Sequence, residues 1–351
     1  VSEPSAATEL AVDIIIDNYN YRSFLGAAIE SALAQTHEPV KVIVVDDGSS
    51  DGSRELLGDY ADRVEVVLKE NGGQASAINA GFERCCGDVV IVLDADDLLD
   101  PGAATRVTAA FAADGALSKV QYRMDTIDAE GNSTGVLKPP SYLAMPSGDV
   151  RAEEVAFPFD LTWLAMSGNA FRREALERIL PIPEPPFRIC ADWYLVHLTA
   201  LLGPVASLQE VGASYRVHGT NSYEQQSARL DLDHIRRTVE LAGATIGELE
   251  RLADELGLQR PNPILSAWDL ANRLVSLRLD PQRHPIATDT AAGIVRDAAR
   301  AVRLRSDSSL SKKALFIAWF GLTASAPRRF VTRLAELFFF PERRPDLAGL
   351  G

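Results

Sequence analysis

Between residues 10 and 130 the chain alternates short branched-apolar runs, which read as strands, with longer mixed segments, which read as helices. The apolar runs predict strands at 12–17, 40–46, 64–69 and 88–94. The segments between them predict helices near 22–35, 53–60, 74–85 and 101–113, each opening near Ser, Asp or Gly. Short connections between such alternating elements are the rhythm of right-handed βαβ units, so the expected fold class is α/β with a mostly parallel central sheet. Asp-Ala-Glu-Gly-Asn between two β-compatible runs predicts a hairpin within 117–138. Residues 139–190 are then rich in Pro and aromatic residues, with one clear helix from Arg172 to Leu180. A helix over 193–202 and an extended segment over 205–217 follow. From about 223 the pattern is helical, with breaks at Pro261, Pro263, Pro281, Pro285 and Pro327. The expected organisation is an α/β domain over 1–222 and a helical region over 223–351.

With 351 residues and 46% hydrophobic content the chain can bury a large core. Its net charge of −14 argues against nucleic acid as a partner, because that affinity depends on Lys and Arg neutralising phosphates. Cys85, Cys86 and Cys190 have neither the number nor the spacing of a disulfide framework or a zinc site, which fits a reducing, cytoplasmic setting. Residues 1–9 lack the basic and apolar parts of a signal peptide. No run of 18 apolar residues occurs.

The candidate chemistry lies at the strand ends. The apolar run Val89–Leu93 delivers Asp94, Asp96 and Asp97 to the mouth of a central strand, where ligands bind in open α/β sheets. Crowded carboxylates repel one another and lose hydration unless a cation such as Mg²⁺ or Mn²⁺ compensates. Asp100, before a proline, reads as a helix cap. The second strand ends in Asp46-Asp47-Gly48-Ser49-Ser50-Asp51, where capping accounts for Asp51 or Ser53 but not for two consecutive aspartates. The first strand ends in Asp17-Asn18-Tyr19-Asn20 and the third in Lys69-Glu70-Asn71-Gly72-Gly73-Gln74. The paired glycines would let backbone approach a ligand and present helix N-terminal N–H groups to phosphate.

These segments, in order, resemble the family-2 glycosyltransferases, nucleotide-diphospho-sugar-dependent enzymes of the GT-A fold. The match runs through Ile-Ile-Ile-Asp-Asn-Tyr-Asn at 14–20, Val-Asp-Asp-Gly-Ser-Ser-Asp-Gly-Ser at 45–53 and Asn-Gly-Gly-Gln-Ala-Ser-Ala-Ile-Asn-Ala-Gly at 71–81. Leu-Asp-Ala-Asp-Asp at 93–97, Ser-Gly-Asn-Ala-Phe at 167–171, Ala-Asp-Trp-Tyr-Leu at 191–195 and Tyr-Arg-Val-His-Gly-Thr-Asn-Ser at 215–222 complete it. Residues beyond 223 lie outside the resemblance.

The resemblance implies a Rossmann-like GT-A domain with a helical C-terminal extension and a set of roles. Asp47 is expected to read the N3 hydrogen of uracil or thymine, which favours UDP- or dTDP-sugars over GDP-sugars. Asp17 and Tyr19 line the base pocket and Lys69 lies near the nucleoside, although this chain has Asp17-Asn18 where Pro-Thr is more usual. Gly73 and Gln74 complete the nucleotide-sugar contacts. Asp94 faces the ribose and sugar, Asp96 binds the metal directly, and His218 reaches the metal or diphosphate. Asp192 is the general base of an inverting transfer, while also a candidate helix cap. Asn169, Trp163 and Trp193 are expected near the acceptor or sugar, and Arg216 as a structural partner of an acid. The implied product is a surface glycan or glycoconjugate, and the implied acceptor a glycan or a lipid-linked molecule.

Residues 308–351 hold seven Lys/Arg and three Asp/Glu among clusters of Leu, Phe and Trp. That pattern suits either an interfacial helix on the inner face of a membrane, through 308–345, or packing in the monomer or a homodimer. Three other functions would each leave a different pattern. A sugar-1-phosphate nucleotidyltransferase would carry a Gly-rich, Lys/Arg-bearing loop after its first strand, where this chain has Asp17-Asn18-Tyr19-Asn20. A non-catalytic nucleotide-binding scaffold would not need Asp96, Asp192 and His218 together. A phosphoacceptor signalling domain would place its acid pair after the first strand, not the second.

Overall fold

The structure, a computed structural model, describes residues 9–219, 221, 230–305 and 309–340. The chain divides into two compact units, Val1–Ala152 with Leu161–Tyr223, and Glu153–Asp160 with Glu224–Gly351.

In the first unit the elements run β1 (Val12–Asn18), α1 (Arg22–Leu33), β2 (Val40–Asp46), α2 (Ser53–Gly58), β3 (Glu65–Leu68), α3 (Gln74–Phe82) and β4 (Val89–Asp94). They continue through β5 (Leu98–Leu99), α4 (Ala103–Ala113), the hairpin β6 (Lys119–Ile127) and β7 (Ser133–Lys138), and α5 (Arg151–Ala156), whose residues from Glu153 onward belong to the second unit. After these come β8 (Asn169–Arg172), α6 (Arg173–Glu177), α7 (Asp192–Leu202) and β9 (Val205–Arg216). The sheet order is β3-β2-β1-β4-β8-β6-β9-β5, with β7 on β6. The first four strands are parallel, as the βαβ rhythm predicts. Their inner residues, among them Ile14, Ile15, Ile16, Val44, Val45 and Ile91, are fully buried, which is why the runs are continuously apolar and not alternating. Beyond them the sheet is mixed. β8 inserts antiparallel between β4 and β6, and β9 runs parallel to β6. Both β5 and β8, of two and four residues, are too short to leave a periodic signal, and the sequence reading has no strand there.

The chain passes from β1 outward through β2 to β3, then returns to the other side of β1 with β4. That reversal is the topological switch point at which α/β sheets open a crevice. The register sets Asp17 directly opposite Asp94, and Asn18 opposite Asp46, at the carboxyl ends of these strands.

The second unit contains α8 (Leu232–Glu255), α9 (Ala267–Leu279), α10 (Ala291–Leu304), α11 (Leu310–Ser325) and α12 (Arg328–Phe339). Four caps fall where Ser, Thr or Asp precedes an apolar-rich helical run: Asp231 on α8, Ser266 on α9, Thr290 on α10 and Ser309 on α11 each accept backbone N–H bonds. Leu270, Leu274, Ile294, Ala298 and Phe320 form a core of their own. Among the described residues no helix is long and apolar enough to cross a membrane.

Candidate active site

A cleft of about 620 Å³ opens at the switch point, lined by residues from the ends of β1, β2 and β4, from the loops before α3 and α7, and by Tyr215 and Asn221. Of the sequence-predicted residues it gathers Asp17, Tyr19, Asp47, Gly73, Gln74, Asp94, Asp96 and Asp192. His218 joins them through Asp96, its Nε2 lying 2.9 Å from Asp96 Oδ2. The His218 ring is held against Phe24, with centroids 4.7 Å apart. Its backbone N–H donates to Asn221 Oδ1. Thr220 and Ser222 of the same motif lie outside the described residues.

The two aspartates ending β2 have separate duties. Asp46 is wholly buried and accepts from Asn18 Nδ2, Ser49 N and Arg54 Nε at 2.9, 3.0 and 2.7 Å, so it braces the strand ends. Asp47 accepts from Lys69 Nζ at 2.7 Å, Gly72 N at 2.9 Å, Asn71 Nδ2 at 3.0 Å and Gly73 N at 2.6 Å. The glycine N–H groups expected to face phosphate donate here to the Asp47 carboxylate. The N–H of Gln74 is likewise taken, by the Arg188 carbonyl at 2.8 Å. Lys69 serves this loop and is not part of the cleft wall. Asp51 accepts from Arg22 N, Ser53 N and Ser53 Oγ, and Asp100 from Gly102 N, so both brace the turns just ahead of α2 and α4, whose cap positions are Gly52 and Gly102.

Gly73 has φ +94°, and a Cβ there would stand 2.4 Å from both Cγ and the carbonyl O of Arg188. Gly73→Ala should thus lose about 1–3 kcal/mol of stability and melt earlier in calorimetry; an unchanged melting temperature would show that the loop relaxes freely.

Gln74 ties the cleft together. Its Nε2 donates to Asp94 Oδ1 at 2.9 Å and its Oε1 accepts from Ala191 N at 3.0 Å, so one carboxamide spans from the Asp-x-Asp element to the residue before Asp192. Asp192 begins α7, and its Oδ1 accepts from Trp193 N at 3.0 Å.

The cleft is short of positive charge. Burial, with the charges of Asp96 and Asp47 adding to it and the Gln74 amide opposing, pushes Asp17 up to about 7. Burial and then the charges of Asp17, Asp97, Asp96 and Asp192 hold Asp94 well above the usual carboxylate range. Burial and Asp96 push Asp97 up to about 8, against the N–H of Arg216. Burial pushes Asp192 up to about 6, opposed by the Trp193 N–H and by His197. Asp17 Oδ1 and Asp97 Oδ2 are buried without a hydrogen-bond partner. Such a donor set suits a divalent cation. Among the described residues no group of three or more acid, His or Cys side chains could hold a metal unaided. An ion there would rest on one or two protein ligands and substrate oxygens, the usual mode for Mg²⁺.

Arg216 is the structural partner anticipated. Its N–H donates to Asp97 Oδ1 at 2.9 Å and its Nε to the Asp96 carbonyl at 2.7 Å, which fixes the Asp-x-Asp turn.

Three residues expected at the sugar or acceptor are not among those lining the cleft. Asn169 is fully buried, and its Nδ2 donates to the carbonyls of Leu164, Ala165 and Met166, shaping the chain before β8. Trp163 and Trp193 are absent from the cleft wall and instead flank His197, with centroids 6.4 and 6.3 Å from its ring. The Lys119 ammonium, on a fully buried side chain, stands 3.5 Å from the Trp163 ring centroid, and stabilising that cation is what the indole face does here. Conversely, Arg188 and Cys190 line the cleft and carry no motif signal. Arg188 bonds Gly72 O at 2.9 Å and also Asn71 Oδ1, while Cys190 adopts φ +63°, a conformation that Gly or Asn would have advertised.

Residues 13–180 match the family model described as Glycosyl transferase family 2. An uncharacterized glycosyltransferase of Nostoc sp. (strain PCC 7120) is 37% identical over 223 residues, covering 61% of this chain and 67% of that protein. An undecaprenyl-phosphate 4-deoxy-4-formamido-L-arabinose transferase of Pectobacterium carotovorum subsp. carotovorum is 48% identical over 93 residues, which are 24% of this chain and 28% of its own length. The crystal structure of S. aureus TarS 1-349 superposes with a TM-score of 0.53 at 15% identity, over 95% of this chain and 92% of that one. The last likeness is one of fold, the GT-A arrangement of a curled α/β sheet with flanking helices. By the first two, and by the order of its motifs, the chain belongs to glycosyl transferase family 2.

Proposed function

We propose that this chain is an inverting glycosyltransferase that moves a sugar from a UDP- or dTDP-sugar to a hydroxyl of a surface glycan or a lipid-linked acceptor. The observation that carries this reading is the Gln74 bridge, which sets Asp192 on the same cleft as Asp94 and Asp96. Residues 1–222 form the catalytic domain and 223–351 its helical extension.

The acceptor O–H bond breaks as Asp192 takes its proton, and the oxygen forms a bond to the anomeric carbon. The bond from that carbon to the diphosphate oxygen breaks at the same time, and the electron pair leaves with the diphosphate. Burial makes Asp192 a stronger base than an ordinary aspartate, which suits it to this task. Asp96 and His218 would hold Mn²⁺ or Mg²⁺, which when bound supplies positive charge to the departing diphosphate. Asp94 faces the ribose and sugar, and Gln74 orients it. Tyr19, about half exposed at the rim, offers a flat face to the base beside Asp17. For Asp47 to read a uracil or thymine N3–H, one of its four bonds to the 69–73 loop must be exchanged for the base.

Support for the uridine reading comes from TarS, solved with UDP and with UDP-GlcNAc. Support for a lipid-linked acceptor comes from the relative named for undecaprenyl-phosphate. The nucleotidyltransferase alternative is not favoured, since Asp17-Asn18-Tyr19 stands where that chemistry needs a glycine-rich cationic loop.

Titration calorimetry in Mn²⁺ with UDP-, dTDP- and GDP-sugars tests the assignment. Uridine or thymidine donors should bind and guanosine donors should not. A preference for GDP-sugars would remove Asp47 from its role.

A further inference from the structure

Helix α10 buries Ile294, Ala298, Ala301 and Val302. Its opposite face carries Arg296, Arg300, Arg303 and Leu304, at a spacing that places them in one row. These four line a shallow groove on the helical unit. Helices α10 and α11 pack together, and Lys313 Nζ donates to the Arg303 carbonyl at 3.3 Å. The Lys312-Lys313 start of α11 therefore meets the end of the arginine row.

Helix α11 is apolar on nearly every side. Phe316, Trp319 and Phe320 face the core of the unit. Leu310, Leu315 and Leu322 are nonetheless 84%, 70% and 57% exposed, and Leu304 on α10 is 53% exposed. Residues 309–340 hold five Lys/Arg and one acid, Glu336, in a chain whose net charge is −14. In the arginine row Asp297 pairs with Arg296 at 3.4 Å. A helix this apolar, with leucines open to water beside a cationic border, is matched to an interface with hydrocarbon on one side and negative charge at its surface.

We propose that the α10–α11 surface docks on an anionic lipid bilayer, the arginines and lysines meeting the headgroups and the leucines entering the acyl boundary. The proposal stands apart from the transfer chemistry. A second copy of the chain fits less well, because a two-fold pairing of this face would oppose like-charged rows. Nucleic acid would leave the leucines in water and meet repulsion from an otherwise acidic protein.

The test is flotation of the full chain with phosphatidylcholine vesicles and with equimolar phosphatidylcholine and phosphatidylglycerol. Binding is expected to the mixed vesicles, to weaken with added salt, and to be absent from the neutral ones. The Arg296→Glu/Arg300→Glu/Arg303→Glu variant should partition at least about tenfold less. A Leu310→Ser/Leu315→Ser variant should also bind less, with an unchanged melting temperature because both side chains are exposed. Three results would overturn the proposal: no binding to the mixed vesicles, equal partition of the charge-reversed chain, or a dimer that the leucine variant dissociates and that ignores lipid. Donor calorimetry on the same variants should match wild type, so a failed docking test and a failed transferase reading are told apart.

Discussion

Asn in place of Asp192 is expected to lower kcat by about 10²- to 10⁴-fold, the range for losing a general base, while donor affinity stays unchanged. The pH profile gives the same residue a second signature. Burial raises its carboxyl to about 6, so in wild type kcat/KM should climb as pH rises through about 6 and the base ionises. The sign for stability is opposite. Between the ordinary aspartate range and about 6 the folded protein holds a proton that the unfolded chain has released, so ionising Asp192 weakens the fold as pH rises. Asn carries no such charge. The variant should therefore melt no earlier than wild type at pH 8, which separates lost chemistry from lost structure. Full turnover by Asp192→Asn would place the base on another residue.

Asp96→Asn should abolish the metal-dependent part of donor binding. Outer partners of a metal site are commonly worth about 10- to 100-fold in affinity, and a direct ligand should exceed that range. Calorimetry with and without Mn²⁺ reads the effect without any turnover. Wild type should bind UDP-sugar more tightly with Mn²⁺, and the variant should lose that difference. A variant that still gains affinity from Mn²⁺ would show that the ion rests on other groups.

Much of this arrangement was legible in the chain itself. The runs ending in Asp17, Asp46-Asp47 and Asp94 are continuous because both faces of those strands are buried, and continuity bounded by polar turns is a strong strand signal. Since parallel strands share one direction, their polar ends had to converge, and the cleft followed. What the pattern hid depends on contacts distant in sequence. Asn169 belongs to a motif, yet a buried carboxamide and a ligand-binding one look alike until the carbonyls of 164–166 are seen around it. Trp163 was indistinguishable from a sugar platform because its partner, Lys119, lies 44 positions away. Arg188 sits in a Pro-rich stretch without periodicity, and only folding brings it to the loop before α3. The glycines at 72 and 73 signalled an unusual backbone, but not that the anion it serves is Asp47.

The Gln74 bridge has a mechanical corollary. Because a single amide group grips Asp94 with its nitrogen and the backbone of Ala191 with its oxygen, neither wall can drift without tugging its opposite number. The spacing between the Asp-x-Asp turn and the start of α7 thus comes from a crossbeam shared by both sides.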